Sequence, residues 1–123
     1  MRARILRPEE WGKLDGRDLS KLLPYVEPEN VAVCVVEDEA GEIIGCLAAI
    51  QVTHLEGTWI APEHRGKAGA LRALLRQAFA VPQARGERWA FGGTDGDSVK
   101  GFLERLGGKP LDMQFYALPT GAN

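Results

Sequence analysis

A basic, glycine-studded turn running straight into an amphipathic helix is the part of this chain best equipped for chemistry. Arg65, Gly66, Lys67, Ala68, Gly69 and Ala70 follow a strand-like run that ends at Ile60 and is closed off by Pro62. The start of a helix carries backbone N–H groups without intrahelical partners and the positive end of the peptide dipole, a combination that favours a phosphate. Gly66 and Gly69 let a ligand approach the backbone closely, and Arg65 and Lys67 add positive charge. Upstream, His54 and Glu56 stand two apart on the same strand-like run, so an imidazole and a carboxylate project to one face.

These groups need a scaffold, and the pattern of the chain supplies one. Helical spacing of Leu71, Leu74, Leu75 and Ala78 predicts an apolar stripe on a helix over 67–81, ended near Pro82, with Arg72, Arg76 and Gln77 facing water. The strand before the turn is expected from Val52 or Thr53 to Ile60. Earlier, apolar runs flank a charged turn ending at Gly41 and read as a β-hairpin. Its first strand is apolar on both faces, with Val31, Val33 and Val35 on one and Ala32, Cys34 and Val36 on the other. Such a strand requires cover on both sides of the sheet, hence helices above and below. With a three-residue loop at 39–41, Cys34 and Cys46 fall directly opposite each other. A cross-strand disulfide there is geometrically demanding, and two reduced thiols are expected.

The chain opens with a strand over 2–6, a short helix from Pro8, a second short helix over 18–23 stopped by Pro24, and an irregular loop over 25–30. After the long helix come a short aromatic strand over 88–91 and a helix capped by Asp97. That helix has Val99, Phe102, Leu103 and Leu106 on its buried stripe and Gly107 as its left-handed terminator. A last strand covers 114–118. The sequence contains no repeat or linker, and one domain spanning 1–123 is expected.

Composition narrows the function further. The chain has 123 residues, 45% of them hydrophobic, and a net charge of −2 with acids and bases interspersed. That suffices for one core. The charge balance argues against nucleic acid as a partner, and no apolar run approaches a membrane span. The N-terminus lacks the apolar core of a signal peptide, so a cytoplasmic protein is expected. No cysteine or histidine spacing suggests a metal.

The 65–70 turn and the order of elements together resemble the GNAT-superfamily N-acetyltransferases. The family pattern after the strand is Arg/Gln-x-x-Gly-x-Gly/Ala; here Arg65 fits the first position and Ala70 the last, while Ala68 stands where glycine is usual. The resemblance covers nearly the whole chain. It implies an α/β fold with a mixed, mostly antiparallel central sheet and helices on both faces. It also implies acetyl-CoA as co-substrate, its pyrophosphate held by backbone amides of positions 65 to 71 (through Leu71) and its pantetheine running beside Trp59, Ile60 and Ala61. The early helical region is shorter than in most members. This implies an acceptor pocket that is more open or is completed by a second subunit of a homodimer.

Acetyl transfer to an amine needs a base, an oxyanion site and, in many enzymes, an acid for the leaving thiolate. By resemblance, Glu56 and His54 are the candidate bases. Histidine titrates in the range suited to the task, while Glu56 stands nearer the expected thioester. The family's acid is a tyrosine in the helix preceding a Gly-Phe pair, and Leu103 occupies that position here. Tyr116 on the last strand is the candidate substitute, with Tyr25 and Ser98 as further options. Glu27, Glu29 and Asp112 fall in the segments that frame the acceptor and would favour a cationic amine. The alternative is a domain that binds acyl-CoA or a protein partner without catalysis.

Overall fold

The computed structural model describes residues 1–66, 68–93, 97–111 and 117–122. The chain forms two compact units, Met1–Gly93 and Thr94–Asn123.

In the first unit, strands β1 (Arg2–Leu6), β2 (Val31–Glu37) and β3 (Ile43–Ile50) form an antiparallel sheet in the order β1-β2-β3. Alternation along the strands sorts the side chains. Leu6, Val33 and Val35 share one face and are buried, with Ile43, Cys46, Ala48 and Ile50 half-buried beside them. A 3₁₀ helix over Pro8–Leu14 lies on this same face, since Glu10 within it grips Arg4 of β1 with bonds of 2.9 and 3.0 Å. Arg4 Nε also donates to Glu37 at 2.6 Å, so one guanidinium ties β1 to both β2 and the helix. Leu14, Leu23 and Val26 complete this core together with Phe91. They come from the 3₁₀ helix, from the segment after α1 (Asp18–Leu22) and from the loop beyond it, which holds two further 3₁₀ turns where an irregular run is expected. Across the other face runs the row Ile5, Cys34, Leu47, which is exposed.

The hairpin differs from expectation by one residue, with a clear cause. Next to the turn Glu37 pairs with Ile43, but from Val36 onward the register has shifted and Val36 pairs with Gly45. Ile44 is the extra residue of a β-bulge. The shift places Cys46 opposite Val35 and Cys34 opposite Leu47, on opposite faces of the sheet. Both thiols are free.

The strand expected to reach Ile60 is only two residues long. β4 (His54–Leu55) pairs in parallel with β5 (Phe91–Gly92), and Gly57, at φ 78°, turns the chain out of the extended conformation just beyond. Trp59, Ile60 and Ala61 therefore lie in a loop, followed by a 3₁₀ turn at Pro62–His64. Helix α2 (Ala68–Ala84) passes through Pro82 and ends later than expected. Pro82 sits in the last turn, where its missing N–H and the crowding of its ring against the carbonyl four residues back loosen only the end of the helix. Termination falls to Gly86, at φ 74°, with Glu87 N–H bonding Pro82 C=O and Gly86 N–H bonding Gln83 C=O at 3.0 and 3.1 Å. This is the Schellman arrangement.

The second unit contains α3 (Asp97–Arg105), so Asp97 opens the helix as its first residue. It closes at Gly107 (φ 87°) by the same pair of bonds, Gly108 N–H to Leu103 C=O and Gly107 N–H to Glu104 C=O. The expected last strand lies mostly outside the described residues, and Ala117 and Leu118 are not in a strand.

Candidate active site

The parallel pair β4–β5 brings His54 and Glu56 together at its carboxyl end. His54 Nε2 is 3.1 Å from Glu56 Oε1, as the two-residue spacing requires, and both side chains remain substantially open to solvent. A carboxylate against an imidazole fixes the ring's orientation, an arrangement suited to proton abstraction.

The amino end of the same strand pair is locked by a different set of groups. The Thr53 hydroxyl donates to Glu87 at 2.8 Å, Arg85 donates to the Thr53 oxygen at 3.4 Å, and the Thr53 carbonyl accepts Phe91 N–H at 2.9 Å. Glu27 holds the next stretch, accepting from the Arg88 backbone N–H at 3.0 Å and from Arg88 Nε at 3.1 Å. These bonds, the backbone N–H foremost, keep the Glu27 carboxyl below its ordinary range. Glu27 is thus a structural clamp and not a free acid for an incoming cation, while Glu29 is exposed. Tyr25 packs edge-on against Trp89, ring centres 4.8 Å apart.

Beyond Gly57, Trp59, Ile60 and Ala61 form one wall of a shallow groove of about 320 Å³. His64 and the α2 residues Ala70, Ala73, Leu74 and Gln77 form the rest. Two sequence expectations change here. Leu74 is 45% exposed and faces the groove, leaving Leu71, Leu75, Ala78 and Phe79 half-buried and Pro82 buried on the other side of α2. Gln77 lines the groove rather than open water.

Arg65 donates from Nε to the Ile60 carbonyl at 2.8 Å, closing the 60–65 loop and setting where the turn begins. Gly66 adopts φ 81°, which a side chain would strain. Space above both Gly66 and Gly69 is open, with no atom within 4 Å of where a Cβ would stand. The turn ahead of α2 thus presents uncovered backbone beside a guanidinium, which fits a pyrophosphate. Lys67, the Ala68 side chain, Tyr116, Asp112 and the Ser98 side chain lie outside the described residues. Leu103 is half-buried and offers no proton.

Sequence reasoning overlooked Gly93. The Glu56 carboxylate rests where a Gly93 side chain would stand. Thr53, Arg85 and Glu87 were missed too, because contacts between residues 32 and 34 positions apart leave no local pattern. Among the described residues no group of three or more His, Cys, Asp or Glu is placed to hold a metal, and no helix is long and apolar enough to cross a membrane.

The family model described as "Acetyltransferase (GNAT) family" matches residues 3–107. A solved structure named "Putative acetyl transferase from Pyrococcus furiosus" is similar at 20% identity, covering 96% of this chain and 80% of that one, with a TM-score of 0.37. No curated protein matches. With the match running from β1 through α3, the chain belongs to the GNAT acetyltransferase family, a small divergent member with a mixed α/β fold and an antiparallel central sheet.

Proposed function

We propose that the protein is a cytoplasmic N-acetyltransferase that moves the acetyl group of acetyl-CoA to a primary amine by direct attack in a ternary complex. The observation that carries this reading is the His54–Glu56 contact, four residues upstream of the groove wall at Ile60. Four residues span at most about 14 Å, so base and groove are within reach of one extended ligand. Backbone N–H groups of the 65–71 turn, with Arg65, hold the pyrophosphate. Trp59, Ile60 and Ala61 flank the pantetheine. The Ile60 carbonyl, already accepting from Arg65, keeps one of its two acceptor positions.

The thioester supplies an activated acyl carbon with a thiolate leaving group. His54, oriented by Glu56, takes the ammonium proton of the acceptor. The amine nitrogen then bonds the acyl carbon, the C–S bond breaks and the thiolate leaves; the surplus proton on the nitrogen passes to solvent, and the thiolate takes a proton from solvent. A second reading, an acyl-CoA-binding domain without turnover, is favoured by Leu103 at the position of the family's acid.

Calorimetric titration with acetyl-CoA, and with free CoA alongside, tests the site. Micromolar binding is expected; heat indistinguishable from dilution would remove the enzyme reading. Release of CoA thiol in the presence of primary amines then separates the two readings. Binding without release, across an aliphatic diamine, a lysine peptide and an arylamine, would establish the silent domain.

A further inference from the structure

We propose that Gly93 is a positioning residue for this reaction, its missing side chain being the seat in which the Glu56 carboxylate rests against His54. The proposal rests on the acetyl-transfer reading above. Pairing of β4 with β5 runs His54 to Phe91 and Leu55 to Gly92, which puts Glu56 and Gly93 next in line at the end where the strands part. A Cβ on Gly93 would lie 2.7 Å from Glu56 Oε1 and 3.8 Å from its Cδ. The oxygen that would be struck is the same Oε1 that touches His54.

The crowding is local. A Cβ on the neighbouring Gly92 would meet only the Leu55 carbonyl oxygen, at an ordinary 3.7 Å. Nor does the backbone require glycine at 93, whose φ lies outside the left-handed region that Gly57, Gly66 and Gly86 occupy. Glycine at this place is therefore explained by the carboxylate. Because the struck atom is the free end of a flexible side chain, a methyl group there turns Glu56 away from His54 and leaves the strands where they are.

The test is a double-mutant cycle of Gly93→Ala and Glu56→Ala. The His54 ring resonances, distinguished from those of His64 by a His64→Gln control, are read by NMR without any substrate. G93A is expected to move the His54 resonances when Glu56 is present and to leave them in place in the E56A background. Melting temperatures of G93A and wild type should agree within about 2 °C, since only a side-chain end moves. With an amine that supports CoA release, G93A should lower kcat by about 10- to 100-fold, the scale of a misplaced catalytic group. KM for acetyl-CoA should stay unchanged, and the loss should vanish in the E56A background. Equal shifts in both backgrounds, or a common loss of melting temperature in both, would mean that Gly93 serves the backbone, and the proposal falls. Absence of CoA release by the wild type would instead sink the acetyl-transfer reading and Gly93's catalytic part, while the resonances still decide whether the seat exists.

Discussion

Replacing Thr53 by valine tests whether the β4–β5 pair that carries the site is held by its polar lock. The Glu87 side chain is only 6% exposed, and the Thr53 hydroxyl reaches its two oxygens at 2.8 and 3.3 Å. Arg85 is a weak reserve, 4.0 Å from Glu87 and with a side chain 64% exposed. Valine has threonine's shape, so T53V opens no cavity; it removes, together with the long 3.4 Å bond from the exposed Arg85, the hydrogen bond to the buried Glu87 charge. Bonds of that kind contribute about 1.5–3 kcal/mol. Valine's better fit to a strand returns a few tenths of that, which leaves a loss of about 2 kcal/mol. At roughly 4 °C per kcal/mol for a chain of this length, the melting temperature falls by roughly 8 °C. Urea unfolding measures the free energy directly, and an unchanged m-value shows that the unfolded state is not the cause. Threonine to serine keeps the donor and should lose less than half as much. A cycle with Glu87→Gln isolates the pair, with a coupling of at least about 1 kcal/mol expected. Should T53V melt within about 1 °C of wild type with negligible coupling, the lock is ornamental and something else holds the site's strands together.

Two further outcomes concern the three-stranded sheet. Hydrogen bonds from Arg4 first, then from the Arg7 backbone N–H, hold the Glu10 carboxyl far below its ordinary 4.5, and Arg4 likewise depresses Glu37. Both groups bind protons less readily folded than unfolded, so their stabilisation is complete above about pH 4.5 and is lost as pH falls through the folded values. Arg4→Met should therefore flatten the decline of stability with acid, and parallel curves for variant and wild type would contradict the assignment. The cysteines give a simpler readout. A chromogenic disulfide reagent should label exposed Cys34 faster than half-buried Cys46. Mild oxidation should yield no intramolecular bridge, because the bulge puts the two thiols on opposite faces; a bridged monomer by mass spectrometry would refute that register.

Much of this protein could be read along the chain because the deciding physics is short-ranged. Alternation of period two placed His54 and Glu56 on one face, and the structure brings them to 3.1 Å. Spacing of period 3.6 located α2 and α3, and Gly107 closes α3 as its place after the last apolar residue requires. The glycines and bases at 65–70 announced a turn into a helix, and α2 begins at Ala68; that the turn holds a pyrophosphate is our proposal.

What only the tertiary structure decided depends on partners distant in sequence. The one-residue bulge at Ile44 moved Cys46 from Cys34's face to the other, and the register puts half-buried Cys46, Ala48 and Ile50 of β3 on the face of buried Val33 and Val35 while Leu47 and Ala49 face out. Gly57 could have been an interruption within a strand; its φ of 78° ends β4 and turns Trp59 to Ala61 into a groove wall. Glu27, acidic in a loop, reads as solvated until Arg88, 61 residues away, claims it. Gly93 is one glycine among fifteen in the sequence, and its meaning comes from the carboxylate that folding brings over it. Sequence patterns fix backbone preference and the choice of face. Which distant group fills the space beside a residue is settled by packing, because that space does not exist until the chain has closed around it.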